Sequence, residues 1–332
     1  FPDLPIGQIP QSGSNWRTYT ADGSEVGPIP YWSGLINGLG RYSSVQYNQS
    51  RLTVINVDPG MSSANVSYRF RLIGAQSLYA YRFSISDHKL NIIAVDGYLV
   101  QPMEVDYIII HSGERYDFAL KPKNATEVMS KRNYLIRAET LEVDLTKSIP
   151  YPSLNHIAEA ILHYGNSSDQ PSSTMYSNIA QSYNLNCTRT SNCITLNCPF
   201  VNNNQNYNIT QCLKITDLKL LYPTLSDQLP GQPTQTIFFN FGFQGDGSSS
   251  AINGRNFILP SMPPQTQGVN PTEVCQVGSG VSCSTPGTKC RCTHIVNITE
   301  NGTYEFVFSA VGAGSVGNGS GFGHPVHLHG HS

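Results

Sequence analysis

Charge is scarce in this chain. Asp, Glu, Lys and Arg make up 13% of the 332 residues, where about 25% is usual for a globular protein. The formal net charge is −2, and no basic run occurs, so nucleic acid and anionic membrane surfaces are poor candidates as partners. No apolar run reaches the roughly 18 residues of a transmembrane helix. The first ten residues, FPDLPIGQIP, have neither the charged n-region nor the apolar h-region of a signal peptide. No short C-x-x-C pair is present, which weighs against a zinc framework.

Turn formers fill the gap, with 29 Gly and 21 Pro among abundant Ser, Asn and Thr. Apolar residues are plentiful enough for a buried core, and the length allows about two domains. The eight cysteines fall into two groups of four: Cys187, Cys193, Cys198 and Cys212, then Cys275, Cys283, Cys290 and Cys292. Even groups in polar, Pro-containing segments read as disulfide staples formed in an oxidising compartment, with two zinc sites as the rival reading. Pairing is expected within each group, because short loops close at modest entropic cost. Cys290 and Cys292 should take different partners, since their spacing strains a mutual bridge.

N-x-S/T sequons at Asn48, Asn65, Asn124, Asn166, Asn186, Asn208, Asn297, Asn301 and Asn318 add to the expectation of an extracellular, secreted glycoprotein. Without a leader, such a chain is expected to be a mature form or a piece of a longer one.

Short β-type runs bounded by Gly, Pro, Asn or Asp dominate. They fall at 66–72 (VSYRFRL), 78–85, 91–95, 107–111, 116–120, 134–138 and 158–164, then at 236–243, 294–298 and 303–310. In the first of these, Val, Tyr, Phe and Leu alternate with Ser and Arg, the period of a strand buried on one face. The spacing predicts antiparallel sandwiches. The expected organisation is a leading connection over 1–32, a complete domain over 33–165, a disulfide-stapled linker over 166–211 and a partial domain over 212–332.

The last nine residues read HPVHLHGHS and hold four of the nine histidines. A purification tag or a solvated His-rich tail is the bland alternative, but a tag would be an unbroken run. On a strand, His327 and His329 share a face and could serve adjacent metal ions, while His324, three earlier, points the other way. Imidazole suits copper, zinc, iron and nickel, so the spacing alone does not name the metal.

HPVHLHG resembles the H-P-x-H-L-H-G motif of multicopper oxidases, laccases in particular. The resemblance implies His324 as a type 1 copper ligand, His327 as a type 2 ligand and His329 as a type 3 ligand, with His331 outside the set. Residues 35–42 (LINGLGRY), 94–97 (AVDG), 105–106 (VD) and 113–117 (GERYD) are similar to the family's second domain, and 253–257 (NGRNF) to its third. Residues 196–200 (LNCPF) and 290–294 (CRCTH) look closest to an animal laccase-like branch.

This resemblance implies an all-β fold of cupredoxin-like Greek-key sandwiches, one complete and one truncated. The implied activity is copper-dependent oxidation of phenols or aromatic amines, with O2 reduced to water. The family's first domain, with its H-W-H and H-x-H pairs, and its later H-C-H segment have no counterpart here. The chain is therefore expected to be an internal fragment, inactive alone. A ferroxidase of the same family and a non-catalytic copper-binding glycoprotein are the alternatives.

Asp96 matches an acid that approaches phenolic substrate in fungal laccases; it equally reads as a turn-forming Asp before Gly97. His88, His111, His156, His163 and His294 lack partners at metal spacing and read as structural. Glu114, Arg115 and Asp117 read as ion-pair formers that add stability.

Overall fold

The computed structural model describes residues 18–19, 25–27, 34–40, 52–59, 67–76, 79–140, 157–171, 193–198, 210–222, 231–242, 251–275, 290–299, 301–309, 326 and 328. They divide into two compact units, Phe1–Pro223 with His324–Ser332, and Thr224–Gly323.

In the first unit, β1 (Thr18–Tyr19) and β2 (Glu25–Gly27) pair as a small ribbon. Next come β3 (Thr53–Val57), β4 (Tyr68–Ile73), β5 (Tyr81–Ile85), β6 (Leu90–Val95), β7 (Tyr98–Val105), β8 (Tyr107–Ile110) and β9 (Arg115–Leu120). Helix α1 (Ala125–Ser130) precedes β10 (Asn133–Thr140), β11 (Ile157–Tyr164), β12 (Cys193–Leu196) and β13 (Thr210–Leu213). Seven strands form one sheet in the order β13-β12-β8-β5-β10-β11-β3, and four form another, β4-β9-β6-β7.

Alternation in the sequence becomes a two-faced sheet. Tyr68, Phe70 and Leu72 of β4 turn inward while Arg69 and Arg71 stay exposed. On β9, Tyr116, Phe118 and Leu120 are fully buried. They meet Phe83, Ile85, Ile108, Ile136 and Leu162 of the larger sheet in one core, with the Phe83 and Phe118 rings 5.9 Å apart. Within the smaller sheet only β6 and β7 are both adjacent and consecutive; the other joins cross between sheets, as in a Greek key.

The antiparallel expectation holds at the centre of the larger sheet but not at its margins. There β11–β3, β12–β8 and β12–β13 are parallel, because these strands arrive by long connections rather than hairpins. Strand β7 was hidden in the sequence by Pro102; this residue lies where the register with β6 shifts, between the Ile92–Met103 and Ala94–Leu99 pairs, so its missing N–H is tolerated.

Strand β12, inside the segment expected as a linker, belongs to the larger sheet of the first sandwich, and the first unit runs on to Pro223. The tie is Asp106, 2% exposed. Its Oδ2 accepts from the Ile194 N–H at 2.8 Å and its own N–H donates to the Ile194 carbonyl at 2.9 Å. Lys89 Nζ lies 2.6 Å from Oδ1, but that lysine is half exposed, so the ion pair adds little. Asp106→Ala should therefore lower unfolding free energy by about 2 kcal/mol, the cost of an orphaned amide. Lys89→Ala should cost less than about 1 kcal/mol. Urea titrations of both variants check the order, and equal losses would assign the tie to the ion pair instead.

The second unit comprises β14 (Gln235–Gly242), β15 (Ala251–Ile252), β16 (Arg255–Asn256), short helix α2 (Pro264–Gln267), β17 (Cys290–Arg291) and β18 (Tyr304–Ser309). The strands form one sheet, β17-β16-β15-β14-β18. Among its described residues only Cys292 and Thr293 are buried, and Phe238 and Phe308 are 58% and 47% exposed. The run 294–298, expected as a strand, is irregular and exposed. Its apolar residues find no pairing strand among the described residues; only Thr293 forms a bridge, to Val274.

Candidate functional site

Asp96 and Gly97 make the two-residue turn between β6 and β7, with φ of 49° and 96°. Positive φ at both positions is the type I′ hairpin turn, for which Asp-Gly is a favoured pair. The turn thus accounts for both residues before any chemistry is invoked. The Asp96 carboxylate is held in place: Oδ1 accepts from the Arg115 N–H at 2.9 Å and lies 3.1 Å from Arg115 Nη1. Arg115 Nη2 also donates to the Asp96 carbonyl at 2.9 Å. The side chain of Asp96 remains 27% exposed.

The neighbouring turn before β9 carries Glu114. Burial acts to raise its pKa, but the His111 ring, the His111 N–H at 2.8 Å and the Asn197 amide together hold it below the usual carboxylate range. Tyr116, buried beside it, is pushed well above the ordinary phenol value by desolvation and then by the Glu114 and Asp96 charges. Glu114, Arg115 and Asp117 take separate partners: Asp117 accepts from Arg69 Nε across the sheet at 2.8 Å. Sequence reading missed Asn197, whose positive φ of 62° aims its amide at Glu114 and at the Ile109 carbonyl at 3.0 Å.

His88 is 7% exposed, with Nδ1 2.7 Å from the Ser86 carbonyl and Nε2 2.8 Å from the Tyr164 hydroxyl. His163 is buried against Asn133, its Nδ1 2.7 Å from Oδ1. Desolvation lowers the pKa of both, and of His294. Among the described residues no group of three or more His, Cys, Asp or Glu is arranged to hold a metal ion.

Cys198–Cys212 and Cys275–Cys292 are disulfides, with Cα separations of 5.7 and 5.1 Å. Each lies within its own sequence group, and Cys292 bonds Cys275 rather than Cys290. Cys193 is also disulfide-bonded, and no described cysteine is free. Cys187, Cys283 and the Cys290 side chain lie outside the described residues. Of the sequons, Asn124, Asn166, Asn297 and Asn301 are exposed. Asn124 also caps α1, with Oδ1 accepting from the Glu127 N–H at 2.9 Å. Asn48, Asn65, Asn186, Asn208 and Asn318 lie outside the described residues, as does His156.

The same is true of His324, His327, His329 and His331. Within that stretch Val326 and Leu328 are described, each about half exposed. No described helix is long and apolar enough to cross a membrane.

Residues 12–167 match the family model for multicopper oxidase. Laccase-5 of Trametes villosa is 28% identical over 305 residues, covering 90% of this chain and 46% of that protein. A laccase of Trametes hirsuta is 28% identical over 331 residues, covering 96% and 49%. The chain thus spans about half the length of the curated relatives it matches. The crystal structure of the laccase from Botrytis aclada aligns over 73% of this chain and 39% of that one, at 18% identity and a TM-score of 0.42, too loose a likeness to argue from. The family match over residues 12–167 and the alignments with fungal laccases along nearly the whole chain agree with the motif at 324–330: this chain is similar in sequence to multicopper oxidases, and to laccases among them.

Proposed function

We propose that this chain is part of a secreted laccase-type oxidoreductase that takes electrons singly from phenols or aromatic amines and delivers them to O2, forming water. The observation that carries this reading is the HPVHLHGH segment at the end of a chain that aligns with laccases throughout. His324 would be the type 1 copper ligand, His327 the type 2 ligand and His329 a type 3 ligand. The donor chemistry fits, since neutral imidazoles are good copper ligands. Bound copper would supply reversible one-electron chemistry. The remaining ligands, a thiolate among them, would come from segments beyond those described.

Asp96 in this reading accepts the proton that leaves as a phenol is oxidised. Arg115 holds Oδ1, so Oδ2 is the atom that faces substrate. The resemblance of residues 196–200 and 290–294 to an animal branch is a finer point, and the relatives named above are fungal.

Oxygen uptake by the complete gene product, with a dimethoxyphenol and with Fe²⁺ as alternative donors, tests the reading. Phenol turnover should dominate, and His324→Ala should reduce it at least about a hundredfold, more than loss of a ligand's supporting hydrogen bond costs. Asp96→Asn keeps the turn, because Asn also suits positive φ. It should slow phenol oxidation while leaving a donor without an ionisable proton unaffected. Preferred turnover of Fe²⁺ would move the assignment to a ferroxidase, and no turnover of either to a binding protein.

A further inference from the structure

Between the two sheets of the first unit lies a cavity of about 670 Å³. It opens to solvent beside the exposed Leu35, Arg71 and Ile73, and its volume falls in the range of small-molecule sites.

Its origin is visible in the strands. Ala138 of β10 and Ala158 of β11 are directly opposed partners, 8% and 3% exposed, and both line the space. Two methyl groups stand there where the next pair along the same face brings Ile136 against Ala160. Facing them from the smaller sheet are Phe70 and Phe118, stacked with centroids 5.1 Å apart, while Phe83 stands beside Ala138 on the larger sheet. The 34–38 turn lines the space from outside the two sheets. It is fixed by the Ile36–Leu39 bridge and by the Thr53 hydroxyl, which donates to the Ile36 carbonyl at 2.5 Å.

The lining also decides the class of occupant. Among the described lining residues Arg71 alone is charged, and it sits at an outward, exposed position of β4. Among these residues a buried ammonium would find no counter-charge, and a carboxylate only this solvated guanidinium. Gln76 supplies an amide at the wall, donating to the Ile110 carbonyl at 3.0 Å. Phenyl rings on several sides favour a flat ring that can stack or meet them edge-on. We propose that this cavity is a binding site for an uncharged small aromatic molecule. The described lining residues all belong to strands and turns of the first unit.

Prodan, an uncharged naphthalene ketone with environment-sensitive fluorescence, is the probe. Titrated into the 332-residue chain it should bind saturably, one per chain, with a blue-shifted emission. A naphthalene sulfonate of similar size should bind at least tenfold more weakly. Ala158→Leu and Ala138→Leu, which fill the space, should each weaken prodan binding at least tenfold while the melting temperature holds or rises. Non-saturable binding, equal affinity in both filled variants, or equal affinity for the sulfonate would overturn the proposal. So would a fall in melting temperature by several degrees in both variants, since that would show the space to be taken by the chain itself.

Discussion

Acidification from pH 6.5 to pH 4 should remove about 3 kcal/mol of folding stability through His88 alone. Burial pushes the pKa of this histidine down from 6.5 to about 4; the Ser86 carbonyl and Asp87 oppose the shift, and Lys123 and Lys131 add to it. The hydrogen bonds explain why the neutral ring is the folded form. The Tyr164 hydroxyl accepts from the Lys123 N–H at 2.9 Å, so its own proton is free to point at His88 Nε2. Nδ1 then carries the ring proton and donates to Ser86. The unfolded chain takes up a proton near pH 6.5, whereas the folded one resists until about pH 4. Each pH unit between them costs about 1.4 kcal/mol. Stability from this group is therefore complete above pH 6.5 and lost as pH falls through the window.

His163 and His294 are shifted in the same direction by burial, and carboxylates such as Glu114 add losses at the acid end. A His88→Gln variant isolates the one residue. It should be less stable at pH 7, but its stability difference between pH 6.5 and 4 should be smaller by about 3 kcal/mol. Urea unfolding at both pH values measures this, and an unchanged difference would remove His88 from the account.

Strands whose burial alternates were legible in the sequence, as β4 and β9 show, because one face of each must be apolar wherever its partner lies. Local turn chemistry was equally legible at Asp96 and Gly97. What escaped depended on partners far along the chain. Asp106 meets Ile194 across 88 positions, and nothing near Asp106 announces that a cysteine-rich segment will return to pair with β8. The run 294–298 misled for the converse reason: apolar composition suits a strand, but pairing requires a neighbour. The copper motif was read from local spacing and resemblance, and its histidines lie outside the described residues.

Replacing both His327 and His329 by Ala should abolish most copper uptake by the chain. Two imidazoles two positions apart can hold a copper ion, though weakly without a closed ligand shell and supporting hydrogen bonds. No described cysteine is a free thiol, so the thiolate-to-copper charge transfer that colours a type 1 site has no source among them. Asp96 and the first sandwich should be unaffected, because the described core is made of apolar side chains from the strands.

Copper titration of the purified chain and of its His327→Ala/His329→Ala variant, followed by visible absorption and paramagnetic resonance, tests the assignment of the motif most directly. The expected result is a nitrogen-ligated Cu²⁺ signal without an intense band near about 600 nm, present in the parent chain and lost in the variant. Copper uptake that survives the double replacement unchanged, or a strong blue band from the chain alone, would contradict it.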